Sequence, residues 1–530
     1  MSKIKELNAL LQQGKVGRRD FMARAGALGV SATVASSMFA KSAQAAPNKG
    51  GTLRVGLGHG STTDSLDPAT FENGFTQFIG YGLRNNLTEI SNTGELIGEL
   101  AEDWDISDDA TIWTFKLRKG VEFHNGKTLD ANDVVASLNH HRGEESKSAA
   151  KAILEPVTEI KADGNDTVVI TLESGNADFP YIVSDYHLVV MPAKGDAVDW
   201  ESGAGTGAYK LDSYEPGVRA TMKRFANSWK EGRGHFDDAE ILTIADVAAR
   251  TNALTTGEID VMDRADIKTV HLLGRNPNIR IEETSSTAHY TFAMRTDTAP
   301  YDNNHVRLAL KYALDREALL KTILRGHGTL GNDHPIGVPN RYHATEEELP
   351  QRTYDPDKAK FHLKEAGLSS LNVDLSAADA AFGGAVDAAV LYKEHAAKAG
   401  ININPVREAN DGYWSNVWMK KPWSAVYWGG RPTEDWMFST AYASGAAWND
   451  SFWEHERFNK LLVDARAELD EAKRREMYVE MQTIVSNEGG VVVPLFNNYV
   501  VGMNEKVQHD GIAGNWDMDG NKGIERWWFA

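Results

Sequence analysis

The chain has 530 residues, of which 42% are hydrophobic and 25% charged; its formal net charge is −19 at pH 7 and it has no cysteine. This length supports two or three lobes, each with its own core, and the missing thiols exclude disulfides, thiolate metal sites, thiol nucleophiles and a lipid-modified N-terminal cysteine. A body this acidic repels nucleic acid and anionic lipid, so neither is an expected partner.

In chain order the first feature is Gly17-Arg18-Arg19-Asp20-Phe21-Met22, then an apolar small-residue run from Ala25 to Ala40, then Ala43-Gln44-Ala45. This pattern reads as a twin-arginine signal peptide over residues 1–45, cleaved after Ala45, which makes the mature protein periplasmic. Gly17 and Met22 depart from the residues usual at those places. The run is short for a bilayer span, and no other segment approaches the roughly 20 apolar residues that a span needs.

After Gly50-Gly51 the residues from Thr52 to Leu57 predict a strand. The glycines here do not make a dinucleotide fingerprint, because the third would fall on Ser61 counted from Gly56 and on Thr63 counted from Gly58. His59 and Thr62 lie just beyond that strand, where α/β folds present ligand-facing loops; His59 is equally at home as a satisfied loop histidine. Residues 111–117 alternate as a strand, and Asp130 is placed to cap a helix that buries Val134, Val135 and Leu138. Gly126-Lys127-Thr128 imitates the end of a phosphate loop, but Gly120 is one residue too far away. Asp163-Gly164-Asn165 and Glu215-Pro216-Gly217 predict hairpin turns.

Residues 246–256 read as a helix closed by Gly257, with a strand over 259–262. Residues 301–304 cap a helix over 306–316, and Asp355-Pro356 opens another that Gly367 ends. Apolar residues recur at helical spacing from Phe458 to Glu488, and residues 491–496 suit a buried strand returning to the first lobe.

Between Tyr413 and Trp453 lie seven of the chain's 14 tryptophans. Indoles gathered around Gly429-Gly430-Arg431-Pro432 suit a concave site, where rigid flat surfaces and a few N–H donors meet a ligand. Trp428 and Tyr427, at the end of a predicted strand, and Trp436 and Trp448 are the candidates to line it. The alternative for each is a place in the core.

Five runs together resemble the extracytoplasmic peptide/nickel-type solute-binding proteins of ABC importers: the stretch from Leu87 to Arg142, GTGAYKLDSYEPG, DVAARTNALTTGEIDV, PYDNNHVRLALKYALDREALL and DPDKAKFHLKEAG. The resemblance covers essentially the whole mature chain. It implies an α/β, two-lobed periplasmic-binding-protein fold with mixed sheets flanked by helices and a ligand cleft between the lobes. By this analogy residues 47–86, 203–289 and 495–530 form lobe I, 87–202 an inserted domain, and 290–494 lobe II. Tyr290, where lobe II begins, either faces the cleft or covers the hinge.

Peptide-binding members of that family often carry, three residues after a tryptophan of this loop, an aspartate that holds the ligand's α-amino group. Here Arg431 stands in that place after Trp428. A guanidinium favours a carboxylate, phosphate or sulfonate over an ammonium, which points to an anionic-ended ligand. Alternatively, Arg431 pairs with Glu434 or Asp435, or one of those acids takes the amine-binding role.

Catalytic signatures such as G-x-S-x-G and H-E-x-x-H are absent, and adjacent His140 and His141 would point about 100° apart on a helix, unable to share a metal. The expectation is a receptor without cofactor, metal or catalytic residue, monomeric, docking transiently on an inner-membrane ABC permease and carrying a short peptide or amino-acid-derived solute. An oligosaccharide is the second ligand class. An exported hydrolase is the alternative of another kind, distinguished by turnover.

Overall fold

The computed structural model describes residues 47–195 and 197–530, so the signal-peptide reading of residues 1–45 lies outside the described residues. Among the described residues no helix is long and apolar enough to cross a membrane.

The first strand, β1 (Thr52–Leu57), is followed by helix α1 (Gly74–Leu83), whose amides are capped by Asn73. Four antiparallel strands then form a separate sheet: β2 (Ala101–Ile106), β3 (Ile112–Leu117), β4 (Val157–Ala162) and β5 (Thr167–Leu172), in the order β2-β3-β5-β4. Gly164, at φ 74°, makes the turn between the last two strands. Helix α2 (Ala131–Asn139) starts at Asp130 with a capping box closed by Asp133 and buries Val134 and Leu138 against this sheet. Trp113, Phe115 and Phe179 complete a core of the inserted region's own.

The main sheet continues with β6 (Tyr209–Glu215), β7 (Arg219–Arg224) and β8 (Asp238–Thr243), then helix α3 (Val247–Thr256), β9 (Val261–Met262) and the 16-residue β10 (Ile279–Met294). Lobe II adds α4 (Asn304–Tyr312), α5 (Arg316–Thr322), α6 (Pro356–Glu365), β11 (Leu371–Ala377), α7 (Ala385–Ala397), β12 (Ile401–Arg407) and β13 (Trp423–Trp428). Helices α8 (Glu434–Ala441), α9 (Glu456–Ala467) and α10 (Glu471–Glu488) precede the 14-residue β14 (Val491–Asn504).

All these strands outside the inserted sheet join one 11-stranded mixed sheet, in the order β6-β7-β8-β1-β9-β14-β10-β13-β11-β12, with residues 328–330 pairing beside β14. β10 and β14 run antiparallel through its middle and belong to both lobes. The divisions expected at 289/290 and 494/495 therefore fall inside two continuous strands. The pairing shifts register twice near the centre, once between Tyr290 and Phe292 and once, more widely, before His289: Ser285 faces Asn498, yet His289 faces Phe496, so Ser286, Thr287 and Ala288 bulge opposite Asn497.

Two predicted helices differ in extent. The segment over 306–316 ends at Tyr312, and Asp315 caps α5 instead. The long run from Phe458 is two helices, because Asp470 accepts the amides of Ala472 and Lys473 and starts a new one.

Lobe II is tied to β14 by Asp333, which is fully buried. Its carboxylate accepts from Arg316 Nη2 at 2.7 Å on both oxygens and from Val493 N at 3.1 Å, and it pairs with Arg352 Nε at 2.8 Å. Removing one member of such a network strands two guanidinium groups in a low-dielectric interior. Asp333→Ala is expected to cost about 3–5 kcal/mol of stability, read by urea unfolding; a loss below about 1 kcal/mol would contradict this role.

Candidate ligand-binding cleft

The bulge in β10 leaves the middle of the sheet unfilled, and a cavity of about 690 Å³ opens there between the lobes. Asn497, Asn498 and Tyr499 of β14 and Ala288 of the bulge form its floor. Lobe I supplies His59 after β1, Asp263 and Arg264 after β9, Gln77 on α1, and Trp516 with Asp517 from the C-terminal segment. Lobe II supplies Tyr290, Phe382, Tyr427, Gly429 and Gly430. Tyr290 and Phe382 stack with centroids 4.1 Å apart and planes 7° apart; Tyr427 is half exposed.

The charges in this cleft are not equivalent. Asp263 is neutralised from behind by buried Arg250 at 3.2 Å and accepts the amide of Gly58 at 2.8 Å. Arg264, at φ 46°, turns its half-exposed side chain into the cavity. Its Nη1 donates to His59 Nε2 at 3.1 Å, and its Nε is 3.9 Å from both Asp263 and Asp517, beyond hydrogen-bonding reach. Burial, and then the cations Arg264 and Arg250, lower the His59 pKa, so the ring is neutral at pH 7 and free to accept that bond. Asp517 is largely buried, and its one short bond is from its neighbour Met518 N at 2.8 Å. Burial, then the charge of Asp263, push its carboxyl up to about 7. Met518, Asp519 and Asn521 all adopt positive φ, at 54°, 62° and 59°. Such a run costs about 1–3 kcal/mol per residue; buried Asp519, bonded to Arg526 at 2.9 Å and to Ala513 N at 2.8 Å, holds it in place.

A family model for bacterial extracellular solute-binding proteins, family 5 Middle, matches residues 95–450. The chain belongs to this family. The dipeptide-binding protein of Escherichia coli K12 is 26% identical over 473 residues, spanning 81% of this chain and 86% of the relative. The glutathione-binding protein GsiB of Shigella boydii serotype 4 is 30% identical over 312 residues, 58% of this chain and 60% of the relative; the matched stretch thus spans about 60% of that protein's length. Among solved structures, the substrate-binding protein CtaP of Listeria monocytogenes matches with a TM-score of 0.78 at 19% identity, covering 91% of this chain and 100% of the other, a likeness of fold. The two-lobed fold is shared, and the chain is a solute-binding protein of an ABC importer. Its family consists of substrate-binding receptors.

In this solute-binding protein the residues singled out from sequence divide into two groups. His59, Tyr290 and Tyr427 line the cleft. Thr62 is exposed in the loop beyond it. Trp428 is buried in the lobe II core, 6.4 Å from the Trp418 ring and 6.2 Å from that of Trp448, which is half exposed. Trp436 lies part-buried on α8, its amide bonded to the cap Thr433, and does not line the cleft.

Arg431 also stands behind the lining. Its Nη1 folds back onto the carbonyls of Gly429 and Gly430, 3.1 Å from each. It pairs with neither candidate acid: Glu434 accepts the amide of Tyr342 at 2.6 Å, and Asp435 accepts Arg466 at 3.0 Å. The turn meets the cleft through its glycines. A Cβ at Gly430 would lie 1.8 Å from Thr287 Oγ1, so only glycine lets the turn press against the bulge.

Arg264 and Asp517 were not singled out from sequence. Arg264 had a usable signal, since it closely follows the predicted strand over 259–262, which pairs parallel with β1 on one side and antiparallel with β14 on the other; Asp517 had none. Metal ligation has little support among the described residues: Glu89, Glu99 and Glu525 cluster within 4.8 Å, but Lys230 lies 2.6, 2.6 and 2.9 Å from them and occupies the place of a cation.

Because the folded state raises the Asp517 pKa above the unfolded value, it binds more protons than the unfolded chain, and this group's cost to stability grows as pH rises from about 4 to about 7. Asp517→Asn is therefore expected to stabilise the unliganded protein by about 1–3 kcal/mol at pH 8 and to change little at pH 4. Thermal unfolding at both pH values checks this; the same shift at each would rule it out.

Proposed function

We propose that this receptor captures an amphoteric small solute, a short peptide or amino-acid-derived compound with both an ammonium and a carboxylate. In this reading Arg264 takes the carboxylate and Asp517 the ammonium. The observation that carries it is the pair of incompletely satisfied opposite charges on one wall of the cleft, opposite the rings of Tyr290, Phe382 and Tyr427. Desolvating a charge costs energy that only a partner restores, so a group left this way favours a ligand that completes it. The anionic end expected from Arg431 is thereby assigned to Arg264. Dipeptides and glutathione, the ligands named for the two relatives above, both carry the two groups.

Contacts made with both lobes draw them together, because a ligand shifts the hinge only by its differential affinity for the shut state. The loaded receptor then docks on an ABC permease in the inner membrane. Residues 1–45 serve as its twin-arginine export signal and the periplasm is its compartment, in keeping with the extracellular character of the family.

A thermal-shift screen over di- and tripeptides, opine-like acids and neutral oligosaccharides tests the ligand class. The best free peptide is then compared with its N-acetyl and C-amide forms by calorimetry. Each blocked form is expected to bind about one to two decades more weakly, with the amide penalty vanishing in Arg264→Ala and the acetyl penalty in Asp517→Asn. A neutral oligosaccharide as best ligand would overturn the amphoteric reading and leave the receptor standing.

A further inference from the structure

Beyond the cleft a second cavity, of about 520 Å³, lies where the inserted region meets lobe II and the C-terminal segment. Its walls include Trp104, Trp113, Tyr181, Pro180, Pro339 and Pro432. Trp113 has its Nε1 donor satisfied by Asn176 O at 3.2 Å, and both indoles are anchored from behind by Phe115, with ring centroids 6.3 Å away. Arg341 closes one side, its guanidinium 6.0 Å from the Tyr181 ring centre and its Nη2 bonded to Glu471 at 2.6 Å. Flat rings beside prolines favour an apolar or aromatic guest.

Two chain segments separate this cavity from the cleft, each by little more than one residue. In the turn after β13, Gly430 lines the cleft and Pro432 lines the second cavity, with Arg431 between them. In the C-terminal segment, Trp516 lines the cleft while Asn515 and Gly514 line the second cavity. Tyr186 meets the Trp516 ring edge-on at 5.4 Å from the other side. The hydrogen bonds that hold the Arg431 guanidinium both go to carbonyls of its own turn, and no carboxylate among the described residues pairs with it. That side chain stands in the partition, held by its own turn and by no ion pair among the described residues.

We propose that the second cavity is a distal subsite of the same binding site, receiving an aromatic or bulky apolar group of an elongated ligand that passes Arg431. This rests on the amphoteric-ligand reading and adds to it a preference for one aromatic end.

Calorimetry with Ala-Ala-Ala, Phe-Ala-Ala and Ala-Ala-Phe tests it on the mature protein. One aromatic-ended peptide is expected to bind about tenfold or more tightly than Ala-Ala-Ala. Trp104→Ala, which removes a wall, and Leu96→Trp, which fills the cavity from its rim, should each reduce that ratio to below about threefold and leave Ala-Ala-Ala affinity unchanged. Equal binding of all three peptides, or an aromatic advantage that survives both variants, overturns the subsite while the amphoteric reading stands. Binding of none of them overturns that reading, and the subsite with it.

Discussion

Everything in this molecule is arranged around one hydrogen-bonded ladder, the antiparallel pairing of β10 with β14 that passes from one lobe to the other. A continuous ladder resists shear and stretching and permits twist, which makes it a hinge by construction. Of its two register shifts, the one between Ser285 and His289 lies beside the cleft. Between the pairs Ser285–Asn498 and His289–Phe496 the backbone groups lose their regular partners, and Ser286 Oγ replaces part of the ladder by donating to Asn497 O at 2.6 Å and accepting Ala288 N at 3.0 Å. Gly430 packs onto the bulge, and the floor of the cleft is lined by Asn497 and Asn498, the latter donating its Nδ2 to Glu283 at 2.5 Å.

The protein buries many charges, and magnitudes sort the structural from the functional ones. A buried ion costs several kcal/mol unless close partners compensate it. Where the inserted region joins lobe I, Lys230 and Lys522 lie between Glu89, Glu99 and Glu525 at 2.6–3.2 Å, and in lobe II Asp333 has two guanidinium partners and an amide. Lys311 ends on three carbonyls at the C-terminal turn of α10, at 3.2, 2.8 and 2.9 Å, where the helix dipole favours a cation. These groups are complete. Asp517 differs in its bonding: among the described residues the nearest guanidinium, that of Arg264, is 3.9 Å from its carboxylate, and its pKa, like those of Glu99 and Lys311, has moved toward the neutral form. A carboxylate kept in that condition, just before a stretch of positive-φ backbone, is a cost to the empty protein that, on the proposed reading, a cationic ligand group removes.

Local chemistry in the sequence proved a good guide to elements and a poor one to lining. The caps at Asp130, Asp246 and Asp355, the turns at Gly164 and Gly217 and the stop at Gly257 are each set by one residue and its neighbours, so they could be read directly. The break before Asp470 carries neither glycine nor proline, and a cap in mid-run is hidden by the apolar periodicity on both sides. The aromatic stretch was legible as a cluster, since Trp414, Trp418, Trp428 and Trp448 do pack ring against ring. Which rings face the cavity depends on strand parity: on β13, Tyr427 points to the cleft and Trp428, one residue on, to the core. Asp517 depends on backbone angles that an ordinary aspartate does not announce.

The lobes also touch each other without help from a ligand. Arg474 of α10 meets Asp178 of the inserted region at 2.6 Å, both nearly buried, and Ala177 N donates to Arg466 O at 2.7 Å. Such contacts favour the shut state even when the cleft is empty, and a receptor that shut too firmly would present an unloaded surface to its permease. Asp517, whose nearest guanidinium is 3.9 Å away, works in the opposite sense on the proposed reading, because closing further desolvates a carboxylate that its cation compensates only in part. On the proposed reading the cross-lobe ion pair and this partly compensated acid oppose one another, and a ligand that neutralises the acid tips the balance by supplying the differential contact that closure requires. On this argument recognition and closure are one electrostatic event, seated beside the bulge in the ladder about which the lobes turn.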